Sequence, residues 1–266
     1  ADTAMDIYLP YSDLKEEEVK ELEDFVSLFP GKSLYPLPVA ESFAQRVSSN
    51  NGISIETYYR ILAIDLLPDT VERILYLDVD MIIQGSLEEL YYTDMEGYPF
   101  VVCEDILGIL NDFHEMNKYR MKIPEKYSYF NAGVMLFNLS YLRETHAAEQ
   151  ILQRIYQDYE RYEYNDQDVL NEMYYDKLLW AAWDLYNLPP AIYYLDRYAL
   201  KEGRVVFADY EELRNMSGSP EKFVDRYQDM SYVMRDKAKI IHYMGAAKPW
   251  NRKREGAEGY RIYDEP

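Results

Sequence analysis

Residues 73–90 read RILYLDVDMIIQGSLEEL, and this stretch decides the fold. Ile74, Leu75, Tyr76 and Leu77 form a short apolar, β-favouring run, the pattern of a strand buried on both faces. It runs straight into Asp78-Val79-Asp80, and Met81-Ile82-Ile83 resumes the apolar pattern until Gly85 breaks it. Carboxylates embedded in apolar sequence are costly to bury without a cation or hydrogen-bonding partners. In extended chain Asp78 and Asp80 point to the same side. Two converging carboxylates suit a hard divalent metal bound through oxygen. They would serve equally well as caps of a strand end in a solvated turn, and the surrounding chain has to decide.

Upstream, strand and helix alternate. Met5, Ile7 and Leu9 predict a strand ending at Pro10. Asp13 and Glu16 have capping-box spacing, and Val19, Leu22, Val26 and Phe29 follow at helical intervals until Pro30-Gly31. Ser33–Leu37 reads as a second strand, and Ile55, Tyr58, Tyr59, Leu62 and Leu66 mark an amphipathic helix that Pro68 ends. Downstream, Ser86–Leu90 is one capped helical turn and Tyr98–Cys103 a buried strand. Glu104–Ser128 is polar and weakly periodic, a helix or loop over a cleft. Tyr129–Leu139 (YFNAGVMLFNL) is a strongly apolar strand interrupted at Asn131-Ala132-Gly133. A glycine there marks a bulge, or a place where another group must approach the backbone. Ser140–Tyr159 reads as a helix, and Leu178–Trp183 and Lys239–Met244 as strands. Alternation of this kind is the signature of a layered α/β domain.

Composition narrows the function. A net charge of -20 argues against a nucleic-acid binder, because phosphate backbones would be repelled. A small phosphorylated substrate remains compatible if a metal or a few cations offset the acidic field locally. No apolar run approaches the roughly 20 residues of a membrane helix, and ADTAMDIYLP has neither the basic flank nor the apolar centre of a signal peptide. Cys103 is the single cysteine, so no intrachain disulfide forms and a reducing compartment is permitted. The 29 tyrosines read mainly as amphipathic core and surface residues.

Two further stretches carry chemistry. In NDQDVLN, Asn165 can cap a helix whose first turn holds Asp166 and Asp168, both favoured by the helix dipole. In IIHYMGAAKPW, His242 ends an apolar strand, Gly245 opens a loop and Lys248 precedes Pro249. Such a histidine is either an ordinary core residue or the completion of an oxygen-rich metal site. Glycine permits backbone approach to a phosphate and lysine supplies a point charge for it.

Together YYRILAIDLLP, RILYLDVDMIIQGSLEELY, YFNAGVMLFNL, NDQDVLN and IIHYMGAAKPW, which span Tyr58 to Trp250, resemble glycosyltransferase family 8 and occur in that family's order. The family comprises retaining enzymes such as glycogenin and bacterial lipopolysaccharide galactosyl- and glucosyltransferases. The resemblance implies a single α/β domain of GT-A type over residues 1–266, with a mixed, mainly parallel central sheet flanked by helices. It implies transfer of a hexose from a uridine-diphosphate sugar, of glucose or galactose type, to a glycan or glycolipid acceptor. Manganese is the implied metal, with magnesium as substitute, held by Asp78, Asp80 and His242. Gly245 and Lys248 would hold the diphosphate, and Arg60 would lie near the donor. Asn131, Ala132, Gly133 and Asp166 would line the sugar pocket, with Gln167 beneath the anomeric carbon. Asp166 and Gln167 are the implied catalytic pair, and Asp78 would serve the donor as well as the metal. The implied setting is lipopolysaccharide or cell-surface polysaccharide synthesis, in the cytoplasm or at the inner face of the membrane.

Other functions stay open at this level: a carbohydrate-binding or scaffold protein with impaired catalysis, a donor-sugar hydrolase, and a self-glycosylating protein that uses its tyrosines. Arg252, Lys253 and Arg254 form a basic cluster that is either solvated or touches an anionic surface. In the family three strands precede the helix at Ile55–Leu66, whereas two are read here. The expectation is therefore a chain lacking the first strand-helix unit, with a slot beside Ile74–Leu77.

Overall fold

A computed structural model of the chain describes residues 3–39, 58–106, 108, 113–189 and 237–244. They pack as two compact units, Ala1–Glu72 with Leu139–Val169, and Arg73–Asn138 with Leu170–Pro266.

In the first unit β1 (Met5–Tyr11) and β2 (Lys32–Pro38) run parallel, in register from Met5 opposite Lys32 to Tyr11 opposite Pro38. Parallel strands cannot be joined by a tight hairpin, and α1 (Glu16–Ser27) supplies the crossover. The helix begins two residues later than the Asp13–Glu16 spacing predicts. Lys15 keeps an extended backbone, so it is Glu18 whose carboxylate accepts the Lys15 N–H at 2.8 Å. Of the expected inner face Val19 is buried, whereas Leu22 and Phe29 are exposed.

Next comes α2 (Tyr59–Leu66), buried from Tyr59 through Ile64. It packs on α5 (Leu139–Glu144) and α6 (Ala147–Asp158). The predicted single helix over 140–159 is thus two. Thr145 Oγ1 donates back to the Tyr141 carbonyl at 2.9 Å, and His146 takes a positive φ of 51°, which breaks the run. Arg143 repairs the exposed end of α2: its guanidinium donates to the carbonyls of Ile64 and Leu67 at 2.8 Å and of Val71 at 3.0 Å. These include last-turn carbonyls that no helical N–H can reach.

The second unit carries the main sheet, in the order β3 (Arg73–Leu77), β6 (Phe130–Asn138), β5 (Phe100–Glu104), β7 (Leu178–Ala181). β6 is antiparallel to both β3 and β5, and β5 is parallel to β7. Three strands therefore share one direction and β6 opposes them, a mixed α/β sheet of mainly parallel sense. β5 and β6 are buried nearly throughout, with the Phe100 and Phe137 rings edge-to-face at 5.0 Å. Each such fully buried side chain contributes about 1.5–3 kcal/mol of transfer energy. β3 is half-buried rather than buried on both faces, because among the described residues it stands at the sheet edge with β6 as its partner.

A smaller antiparallel pair joins β4 (Met81–Ile83) to β8 (Ile240–His242), with Met81 opposite His242. Between these strands come the short α3 (Glu88–Tyr91), α4 (Phe113–Met121) within the weakly periodic segment, α7 (Asn165–Tyr174), and α8 (Trp183–Tyr186) directly after β7.

Candidate active site

The geometry of the site begins where β3 ends. One residue past Leu77, the Asp78 N–H still donates to the Gly133 carbonyl at 2.9 Å, which ties Asp78 to β6. Its Oδ1 accepts the Tyr76 hydroxyl at 2.9 Å. The chain then bends through Val79, 98% exposed, and does not stay extended as the alternation predicts. Convergence of Asp78 and Asp80 comes from this bend together with β8. The Asp80 carbonyl accepts the Tyr243 N–H at 2.9 Å, and the β4–β8 register sets His242 opposite Met81.

The result joins residues 162 positions apart. His242 Nε2 lies 3.1 Å from Asp80 Oδ1 and 3.7 Å from Asp78 Oδ2, and one ligand atom from each of the three falls within 4.8 Å of the others. His242 is buried and the two aspartates are half-buried. Two carboxylates converge here beside an imidazole nitrogen, and a cation among them would offset the repulsion between the carboxylates. Oxygen-rich sites of this kind suit hard divalent ions, and the donor set fits the metal that the sequence implies.

β6 makes room for the ring. Val102 pairs with Met135 while the next residue, Cys103, pairs with Asn131, so β6 carries the extra residues Ala132, Gly133 and Val134. A Cβ on Gly133 would overlap His242 Cε1 and lie 2.9 Å from Asp78 Oδ2. Both sequence interpretations of this glycine hold: it sits in a bulge, and a side chain comes up against its backbone. Asn131 Oδ1 accepts the Gly133 N–H at 3.0 Å.

Two buried asparagines complete the surroundings, and pattern reasoning assigned neither a role. Asn187, fully buried, lies 2.8 Å through Oδ1 from His242 Nδ1 and donates through Nδ2 to Asn131 Oδ1 at 3.2 Å. Asn171 grips both backbone groups of Phe130, with Oδ1 accepting the N–H at 2.8 Å and Nδ2 donating to the carbonyl at 2.9 Å. Asn171 does have a signal in the sequence, as the last residue of NDQDVLN. Asn187 has only its place between a short helix and two prolines.

Arg60 and Asp166 belong to the first unit. Arg60 Nε approaches Asp166 Oδ2 at 2.7 Å with both side chains buried. No aligned hydrogen bond runs along that line, so charge holds this contact. Beside it the Tyr58 phenol is pushed up to about 12, first by burial and then by the charge of Asp166. At the start of α7 the expected cap differs. Asn165 takes a positive φ of 48° as the first helical residue, and the Asp168 carboxylate accepts the Tyr164 N–H at 3.0 Å. A left-handed residue cannot hold the extended backbone that an N-cap needs, so the acid one turn on does the capping. Gln167 is half-buried on the same first turn, its N–H donating to the Tyr164 carbonyl at 3.0 Å. Gly245 and Lys248, and the basic cluster Arg252, Lys253 and Arg254, lie outside the described residues.

Known proteins are similar to this chain in sequence and in fold. The sequence model described as glycosyl transferase family 8 matches residues 1–254. The lipopolysaccharide 1,2-glucosyltransferase of Escherichia coli K12 is 26% identical over 196 residues, which cover 73% of this chain and 49% of that protein. General stress protein A of Bacillus subtilis is 25% identical over 92% of this chain and 76% of its own length. This chain thus spans about half of the first relative and three quarters of the second. Among solved structures, the galactosyltransferase LgtC in complex with donor and acceptor sugar analogues superposes with a TM-score of 0.59 at 22% identity, over 97% of this chain and 94% of LgtC. At that identity the likeness is one of fold, and the fold is of the GT-A type.

Proposed function

This chain belongs to glycosyl transferase family 8, and from that premise we propose that it moves a hexose, with retention of anomeric configuration, from a uridine-diphosphate sugar to a glycan or glycolipid acceptor. The observation that carries the reading is the convergence of Asp78, Asp80 and His242 on one point. These three would hold a divalent ion, manganese or magnesium. When bound, such an ion neutralises the negative charge that develops on the departing diphosphate.

The chain's own residues do the rest. The Tyr76 hydroxyl orients the Asp78 carboxylate, and Asn187 holds the far side of the His242 ring. Asn131, Ala132 and Gly133 are assigned to the wall of the sugar pocket. Lys248 is assigned to the diphosphate as a point charge, with Gly245 beside it. Arg60 holds the Asp166 carboxylate in place, and Asp166 is assigned to sugar hydroxyls. Gln167 lacks the negative charge of a nucleophilic carboxylate, which favours acceptor attack on the face that the diphosphate leaves. A hexose of glucose or galactose type is supported by the names of the relatives, a glucosyltransferase and a galactosyltransferase. The acceptor is assigned to cell-surface glycan synthesis on the same ground. No helix among the described residues is long and apolar enough to cross a membrane.

Release of uridine diphosphate from UDP-glucose and UDP-galactose tests this, with and without manganese and with and without saccharide acceptors. Turnover should require the metal, rise with the right acceptor, and fall at least about 10²-fold in Asp80→Ala. Equal release without any acceptor would identify a hydrolase. No release with any nucleotide sugar would leave a binding or scaffold protein.

A further inference from the structure

An imidazole can ligate a metal only through a nitrogen that carries a lone pair, so the ring's tautomer matters as much as its position. In His242 the tautomer can be traced back to a backbone group. The Gly133 N–H is a fixed donor, 3.0 Å from the Asn131 side chain, so the atom that faces it is the amide oxygen. That same oxygen lies 3.2 Å from Asn187, so Asn187 must present its NH2 group there. Its own oxygen then points the other way, 2.8 Å from His242 Nδ1. An oxygen acceptor at that distance requires Nδ1 to carry the hydrogen. In the neutral ring Nε2 then carries the lone pair, and it faces Asp80 Oδ1 at 3.1 Å and Asp78 Oδ2 at 3.7 Å.

The backbone keeps this chain of bonds in place. The Asn187 N–H donates to the Trp183 carbonyl at 2.9 Å, closing α8, and the Leu188 carbonyl accepts the His242 N–H at 2.9 Å. Asn187 is fully buried, so no water competes for its amide. An amide with both ends committed cannot flip without leaving a buried donor and acceptor facing like groups, which costs about 1–3 kcal/mol for each.

We propose that Asn187 is a positioning residue that holds His242 in its Nδ1–H tautomer and so aims the Nε2 lone pair at the Asp78–Asp80 cation site. The proposal rests on the metal reading above and deepens it. Partners of this kind typically change metal affinity 10–100-fold when removed.

The test uses the full chain with manganese ion as the probe. In the metal-free protein, imidazole 15N shifts under mildly alkaline conditions should show a protonated Nδ1 and a bare Nε2 for His242. The chain has three histidines, so comparison with His242→Gln assigns the signal. Asn187→Leu should mix the tautomers and weaken manganese binding about 10–100-fold in an electron paramagnetic resonance titration. Asn187→Asp, whose carboxylate still accepts from Nδ1–H, should keep the tautomer and bind far more tightly than Asn187→Leu. A parent protein with the hydrogen on Nε2 would overturn the proposal, as would a folded Asn187→Leu with parental tautomer and affinity. Should Asn187→Leu fail to fold, the parent spectrum and Asn187→Asp decide. A parent that shows the Nδ1–H tautomer yet binds no manganese would sink the metal reading and leave the tautomer assignment standing.

Discussion

Gly133 and Gly85 make a matched pair, because a methyl group would overlap the His242 ring and crowd Asp78 at the first and overlap only the Lys239 stem at the second. At Gly85 the obstacle is Lys239 Cδ, part of a half-exposed aliphatic stem. Turning that stem costs at most about 0.5–1.5 kcal/mol, and the stiffer unfolded chain of an alanine variant offsets about 0.4–1 kcal/mol of it. Gly85→Ala should therefore be close to neutral. At Gly133 the obstacle is the His242 ring, which is 2% exposed and held at Nδ1 by Asn187 and at its backbone N–H by Leu188. Overpacking of such a site costs about 1–3 kcal/mol. The ring can escape only by leaving the position from which it faces Asp78 and Asp80. Gly133→Ala should then bind manganese about 10–100-fold more weakly, or about 1.4–2.8 kcal/mol. Manganese titration followed by electron paramagnetic resonance measures the affinity, and urea unfolding of the same samples measures the stability. Parental manganese affinity in a folded Gly133→Ala would refute the reasoning. So would an equal loss in Gly85→Ala, whose obstacle is a lysine stem that can move aside.

Two predictions concern the first unit. Arg143→Met removes the donor to the carbonyls of Ile64 and Leu67 at the end of α2 and of Pro68 and Val71 in the loop beyond, and the urea midpoint should fall by an amount equivalent to about 2–4 kcal/mol; an unchanged midpoint would show that water replaces the guanidinium. Tyr58 has its phenol raised to about 12 in the folded state against 10.0 ordinarily. Between those values the unfolded chain gives up the proton and the folded one keeps it, so stability is full below pH 10 and declines as pH rises toward 12. Two units at about 1.4 kcal/mol each set an upper bound of about 3 kcal/mol on the decline, which solvent screening of the phenol reduces. Tyr58→Phe should flatten that part of the alkaline stability curve, and an identical slope in both proteins would assign the decline elsewhere.

What could be read from the sequence was whatever is encoded locally. The apolar runs at Ile74–Leu77, Tyr98–Cys103 and Tyr129–Leu139 mark strands because burial selects their side chains one residue at a time. Asp78 and Asp80 stand out because charge inside such a run is costly, and their place in an ordered set of motifs led to His242. Capping was legible only in part: the acids at the starts of α1 and α7 were visible, but Glu18 and Asp168 do the work assigned to neighbours. Which acid reaches an N–H depends on a single residue's backbone angle.

The tertiary structure decided everything that depends on pairing across long stretches of chain. The direction of β6 against its neighbours, the three residues it bulges out past Cys103, and the register that sets His242 opposite Met81 have no local signature. Asn187 is the plainest case. Its side chain is an ordinary amide in YNLPP, and it acquires a role only when pairing of Leu188 with β8 brings it to the Nδ1 side of His242. Local sequence specifies which side chains are to be buried and with what period. Which buried polar groups meet is set by strand register, because a shift of one residue turns every side chain to the opposite face.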